Sequence, residues 1–87
     1  MIKSWTDDAW NDYVYWSKLG DKKTIKRINT LLKSIDRTPF AGVGKPEPLR
    51  YQLEGKWSRR IDAMNRLVYE IDHERIIIYS CKDHYQD

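Results

Sequence analysis

At 87 residues, 40% hydrophobic and 33% charged, the chain has room for one domain (residues 1–87) with a single small core, and its composition excludes a disordered polymer. The lone cysteine excludes an internal disulfide framework and fits a reducing cytosol, and with no long apolar run and no basic–apolar–small leader a cytoplasmic protein without a membrane span is expected. The net charge of +3 is unevenly spread: residues 1–20 hold two basic and three acidic side chains, residues 21–66 twelve and five, and residues 67–87 two and five, so the cationic middle suits a polyanionic partner.

Ile2 to Trp5 reads as a short first strand. Thr6 is a good N-cap, and Asp7 and Asp8 put negative charge in the first turn of a helix over Asp7–Leu19, where the helix dipole favours it. Along that helix Trp10, Tyr13, Val14 and Leu19 recur at three- and four-residue spacing. Gly20 stops it, and Asp21 caps a second helix running to about Asp36. There Ile25, Ile28, Leu31, Leu32 and Ile35 face inward, while Lys22, Lys23, Lys26, Arg27 and Lys33 face out.

Thr38 to Pro48 holds three prolines and two glycines in eleven residues, a density that leaves a loop. Strand signals follow over Leu49–Leu53, Lys56–Asp62, Asn65–Ile71 and Glu74–Cys81, with Asp72-His73 as a tight hairpin connection. One strand, two helices and an antiparallel meander make an α+β fold with the helices packed on one face of the sheet.

Four polar features gather in the β half: Glu47 between two prolines, Arg59-Arg60 in a strand, Arg66 opening the next strand, and His84-Tyr85 after the last. A carboxylate, several guanidiniums and a histidine are the parts needed to cleave RNA without a metal. A base takes the proton of the ribose 2′-hydroxyl, fixed cations meet the charge of the phosphorane, and an acid protonates the departing oxygen. Arginine suits the middle role because its planar fork matches phosphate oxygens. Each part also has a plainer reading. A loop glutamate is commonly just solvated, and adjacent strand residues point to opposite faces, so at most one of Arg59 and Arg60 serves a given site and the other forms a surface ion pair. His73 reads as a turn residue and Cys81 as a small buried hydrophobe. No spacing of His, Cys and Asp matches a zinc site, and no metal or other cofactor is expected.

The segments Arg37–Leu49 (RTPFAGVGKPEPL), Trp57–Ile61 (WSRRI), Asn65–Tyr69 (NRLVY) and His84-Tyr85, preceded by Trp5, Ala9-Trp10, Tyr13 and Tyr15-Trp16, resemble the YoeB/Txe family over essentially the whole chain. The resemblance implies a RelE-like, microbial-ribonuclease-like fold. It also implies a toxin of a type II toxin–antitoxin pair that cuts mRNA in the ribosomal A site and arrests translation. A YefM-like antitoxin would neutralise it, operator DNA would be bound only through that complex, and relatives that self-associate leave a homodimer open.

Carried over by position, the resemblance makes Glu47 the general base, His84 the general acid and Arg66 the cation at the phosphorane. Tyr85 would help place the mRNA, with Lys45, Arg50, Arg59 and Arg60 on the substrate-binding side. Two positions depart from the family's usual pattern: Gln86-Asp87 follow the His-Tyr pair, and Met64 stands where many members carry Glu. The alternative reading is a binding module that grips ribosomal RNA, or co-represses with an antitoxin, without cutting. A structural subunit using its aromatic surface ranks last, since it explains neither the proline-flanked Glu47 nor the His-Tyr tail.

Overall fold

A computed structural model describes residues 1–83. Its elements run β1 (Ile2–Trp5), α1 (Asp7–Leu19), α2 (Lys22–Arg37), β2 (Glu47–Pro48), a single 3₁₀ turn (Tyr51–Leu53), β3 (Trp57–Arg60), β4 (Arg66–Asp72) and β5 (Arg75–Ser80). Both helix starts are built as the sequence implies. The Thr6 hydroxyl accepts from the Ala9 N–H at 3.1 Å, and the Asp21 carboxylate accepts from the Thr24 N–H and hydroxyl at 3.0 and 2.8 Å. Those two bonds hold Asp21 below the ordinary carboxylate range. Gly20 ends α1 in the left-handed region at φ 75°, its N–H turned back to Ser17.

The strands form one five-stranded sheet in the order β1-β5-β4-β3-β2, with β1 parallel to β5 and every other neighbour antiparallel. The core lies between this sheet and the two helices. α2 contributes Ile28, Leu31, Leu32 and Ile35, the sheet contributes Leu67, Tyr69, Ile76 and Ile78, and Cys81 joins them just beyond β5. The apolar face of α2 is therefore the one its spacing predicts. In α1 the buried line differs from the expected one: it runs through Ala9 and Trp16, while Trp10 is half exposed and Leu19 largely so. Trp10 instead packs edge-on to Trp5 and flat on Tyr13, making an aromatic cluster beside β1.

Two connections also differ. The two-residue turn between β4 and β5 is His73-Glu74, one residue later than expected, with His73 at φ 57°. The strand expected over Leu49–Leu53 does not form. Pairing is made by Glu47 and Pro48, opposite Ser58 and Trp57, and Tyr51 at φ 56° turns the chain into the 3₁₀ element. The reason is the prolines. Glu47 precedes Pro48, which restricts it to extended backbone, and Pro48, lacking an N–H, is confined to an edge strand, the position β2 holds.

A candidate phosphate-facing site on the open side of the sheet

Side chains alternate across a strand. In β3 and β4 the residues Trp57, Leu67 and Tyr69 join the core against the helices. Ser58, Arg60, Arg66, Val68 and Glu70 therefore stand on the opposite, helix-free face. Register then places the expected site residues on it. Glu47 lies directly opposite Ser58, Ser58 opposite Val68, and Arg60 opposite Arg66. Residues directly paired share a face, and diagonal neighbours two positions on lie about 7–8 Å away. The Glu47 carboxylate and the Arg60–Arg66 pair thus occupy neighbouring squares of one surface.

Two like charges directly across a ladder repel one another. Among the described residues no carboxylate forms an ion pair with either Arg60 or Arg66. Arg66 is partly buried, and its Nε is shielded from solvent without a hydrogen-bond partner. The neighbouring Ser58 hydroxyl is in the same condition at 1% exposure. A buried donor left unmet costs roughly 1–3 kcal/mol.

Glu47 and Lys45 are exposed, as is Arg50 just beyond β2. Lys45 sits at φ 53°, a left-handed turn that swings the chain into β2. The approach of this loop is tight: the Arg60 N–H donates to the Gly44 carbonyl at 2.7 Å. A Cβ on Gly44 would stand 2.7 Å from a Leu31 methyl, at a φ of +88° that side chains disfavour. Glycine is required there for the loop to lie against the β3 end.

Arg59 is not on this surface. It is 0% exposed, and five hydrogen bonds occupy its guanidinium. Nε donates to the Tyr69 hydroxyl at 3.2 Å, Nη1 to the Ser34 hydroxyl at 2.7 Å and the Val43 carbonyl at 3.0 Å, and Nη2 to the Thr38 and Ala41 carbonyls, both at 2.7 Å. Substrate contact by Arg59 and its alternative as a surface ion pair are both corrected by this burial. The charge is met by neutral dipoles of the proline-rich loop, which is thereby wrapped around one side chain. Tyr69 completes the knot by donating to the Pro39 carbonyl at 2.6 Å.

His84 and Tyr85 lie outside the described residues. The backbone leading to them is held on both sides. Cys81 N–H donates to Asp12 Oδ2 at 3.0 Å, and Trp16 Nε1 donates to the Cys81 carbonyl at 2.9 Å. Asp83 N–H donates to Asn65 Oδ1 at 2.7 Å, and the Arg66 N–H donates to the Asp83 carbonyl at 3.0 Å. Cys81 itself is a core residue, as expected, and burial beside Asp12 pushes its thiol up to about 12. On the far side of the open face the Tyr79 hydroxyl donates to Glu70 at 2.6 Å, which with burial raises the phenol to about 12, and Lys56 Nζ lies 4.6 Å from its ring centre.

Ser58 and Asn65 are the residues that sequence reasoning passed over. A small hydroxyl residue between Trp57 and Arg59 carries no pattern of its own. Asn65 reads as the opening of a strand, and only its hydrogen bonds show what its amide touches. Among the described residues no cluster of three or more His, Cys, Asp or Glu side chains could hold a metal ion, and no helix is long and apolar enough to cross a membrane.

Residues 5–85 match the family model described as YoeB-like toxin of bacterial type II toxin–antitoxin system. The chain is 52% identical over 86 residues to Toxin YoeB of Synechocystis, covering 99% of each protein. Two solved structures from Staphylococcus aureus, a heterotetrameric YoeB–YefM toxin–antitoxin complex and a YoeB dimer, are each 48% identical, with TM-score 0.90 over 98% of both chains.

Proposed function

The chain belongs to the YoeB-like toxin family of bacterial type II toxin–antitoxin systems, and from that membership we propose that it is a ribosome-dependent endoribonuclease cutting mRNA in the A site. The observation that carries this reading is the open sheet face, where the exposed Glu47 stands in register beside the Arg60–Arg66 pair. In the proposed reaction Glu47 takes the proton of the ribose 2′-hydroxyl, and the 2′-oxygen attacks the adjacent phosphorus. Arg66, with Arg60, meets the charge gathering on the phosphorane oxygens. His84 gives its proton to the departing 5′-oxygen, leaving a 2′,3′-cyclic phosphate. Tyr85 helps hold the mRNA, and Lys45 and Arg50 flank the entry of the backbone. No metal takes part in these steps. The ribosome supplies the alignment of 2′-oxygen and phosphorus that this small site does not impose on free RNA.

The YoeB–YefM complex and YoeB dimer of S. aureus support two further proposals. A YefM-like antitoxin is the neutralising partner, reaching operator DNA only as the toxin–antitoxin complex, and the free protein forms a homodimer. The exposed cationic side chains of α2 give the protein a face for ribosomal RNA.

Single-turnover cleavage of a defined mRNA on programmed ribosomes tests the reading. The parent protein cuts in the A site in the presence of EDTA once ribosome integrity is controlled, and it leaves an mRNA with 2′-deoxyribose at the cut position intact. Glu47→Ala, Arg66→Ala and His84→Ala each slow the cut, His84→Ala by roughly 10²–10⁴-fold. Efficient metal-dependent cutting of naked RNA, or equal cutting of the deoxy substrate, would overturn it. Ribosome binding with no cut by the parent would leave the non-cleaving binding module.

A further inference from the structure

We propose that Asn65 is a positioning residue for the acid: its side-chain amide fixes the peptide of Asp83, from which His84 departs. The inference rests on His84 being the acid.

A chain that leaves the end of a strand normally frays, because its backbone groups have lost their ladder partners. Beyond β5, residues 81 and 83 are instead satisfied one by one. Asp12 and Trp16 take the N–H and carbonyl of Cys81, and Asn65 and Arg66 take those of Asp83. The two ends of the Asp83 residue are therefore bonded to two consecutive residues, one of which is the arginine assigned to the phosphorane.

Asn65 is itself immobilised. Its Nδ2 donates to both oxygens of Asp62 at 3.1 Å, its backbone N–H donates to Asp62 Oδ1 at 2.7 Å, and its carbonyl accepts from Ile61 and Asp62. With the nitrogen end spent on the turn between β3 and β4, the oxygen end can only face the Asp83 N–H, which it meets at 2.7 Å. The task needs a donor and an acceptor on one short planar group. Asparagine supplies both, an aspartate would set a second carboxylate against Asp62, and a serine would be too short to span the gap.

The backbone held in this way is a special one. Asp83 adopts φ 65°, a left-handed conformation uncommon outside glycine, asparagine and aspartate. Arg66 and the peptide of Asp83 are thus referred to one turn rather than to two separate loops. Acid catalysis is sensitive to such placement, since an error of about 1 Å can cost on the order of 100-fold.

The test is a double-mutant cycle read by single-turnover cleavage on ribosomes, with parent, Asn65→Ala, His84→Ala and the double variant, alongside ribosome affinity and thermal melting. Asn65→Ala should slow the cut by roughly 10–100-fold with ribosome affinity unchanged. In the His84→Ala background it should slow it no further, because the group being positioned is already gone. A scaffold role would slow both backgrounds alike, and that result overturns the proposal, as does an Asn65→Ala protein that cuts like the parent. If His84→Ala alone cuts at the parental rate, the acid assignment fails and the proposal with it, a result read from a different arm of the cycle. Should Asn65→Ala melt below the assay temperature, Asp83→Pro removes the same hydrogen bond from the exposed partner and forbids the left-handed φ. It must show the same loss and the same disappearance of that loss without His84.

Discussion

Replacing Arg59 by lysine is the sharpest probe of how the proline-rich loop is held. The substitution keeps the positive charge but exchanges five fixed N–H donors for a mobile ammonium with three. The guanidinium bridges Tyr69, Ser34 and the carbonyls of Thr38, Ala41 and Val43, so at least two of the five bonds are lost. A hydrogen bond to a charged group contributes about 1.5–3 kcal/mol, which puts the loss of two at about 3–6 kcal/mol. An 87-residue domain has about 4–13 kcal/mol in total. Arg59→Lys should therefore melt roughly 12 °C or more below the parent, at about 4–8 °C per kcal/mol for a domain of this size. Arg59→Ala, which abandons every acceptor and leaves a void, should not fold. Urea unfolding followed by tryptophan fluorescence gives the difference directly, and the slope of free energy with denaturant should not change. A lysine variant within about 1 kcal/mol of the parent would refute the reasoning, showing that water replaces the guanidinium at little cost.

Two further expectations follow from single atoms. Ser58→Ala removes a buried hydroxyl with no partner and should raise stability by about 1 kcal/mol; a loss of that size by the same urea measurement would mean the hydroxyl is satisfied after all. Asp12 is raised above its ordinary 3.8, burial being the largest cause and opposing the Cys81 N–H that it accepts. Its favourable contribution is therefore complete below the unfolded value and lost as pH rises through the folded one. Asp12→Asn keeps an oxygen for Cys81 and should match or exceed the parent's melting temperature at neutral pH, the advantage shrinking as pH falls towards 3.8. An advantage that grows on acidification would contradict the assigned cause.

Most of the fold was legible because its signals are local. The caps at Thr6 and Asp21, the stop at Gly20 and the spacing of Ile28, Leu31 and Ile35 need only neighbours a turn away, and each stands where the sequence puts it. What the sequence misassigned depends on partners far along the chain. Trp10 fits an inward face by spacing, yet Ala9 and Trp16 win that face because the Trp16 indole bonds to the Cys81 carbonyl, 65 residues away. Arg59 looks like a surface cation because lysine and arginine almost always are. Only the folded loop reveals carbonyls enough to bury it. The same holds for the candidate site. Glu47, Arg60 and Arg66 can be picked out by type and motif, but that they share a face is a property of register, and register is written in pairings rather than in any one strand.

The sheet order has a consequence for the birth of the molecule. β1, the first strand made, lies beside β5, the last, and the Thr6 hydroxyl reaches the Tyr79 carbonyl 73 residues on. Until residues 75–80 have emerged from the exit tunnel, β1 has no strand to join and β4 lacks one of its two neighbours. The nascent chain can wind its two helices early but cannot close its sheet, and contacts of such sequence separation form late. The sheet that carries Glu47, Arg60 and Arg66 is thereby completed only once residues 75–80 can join it.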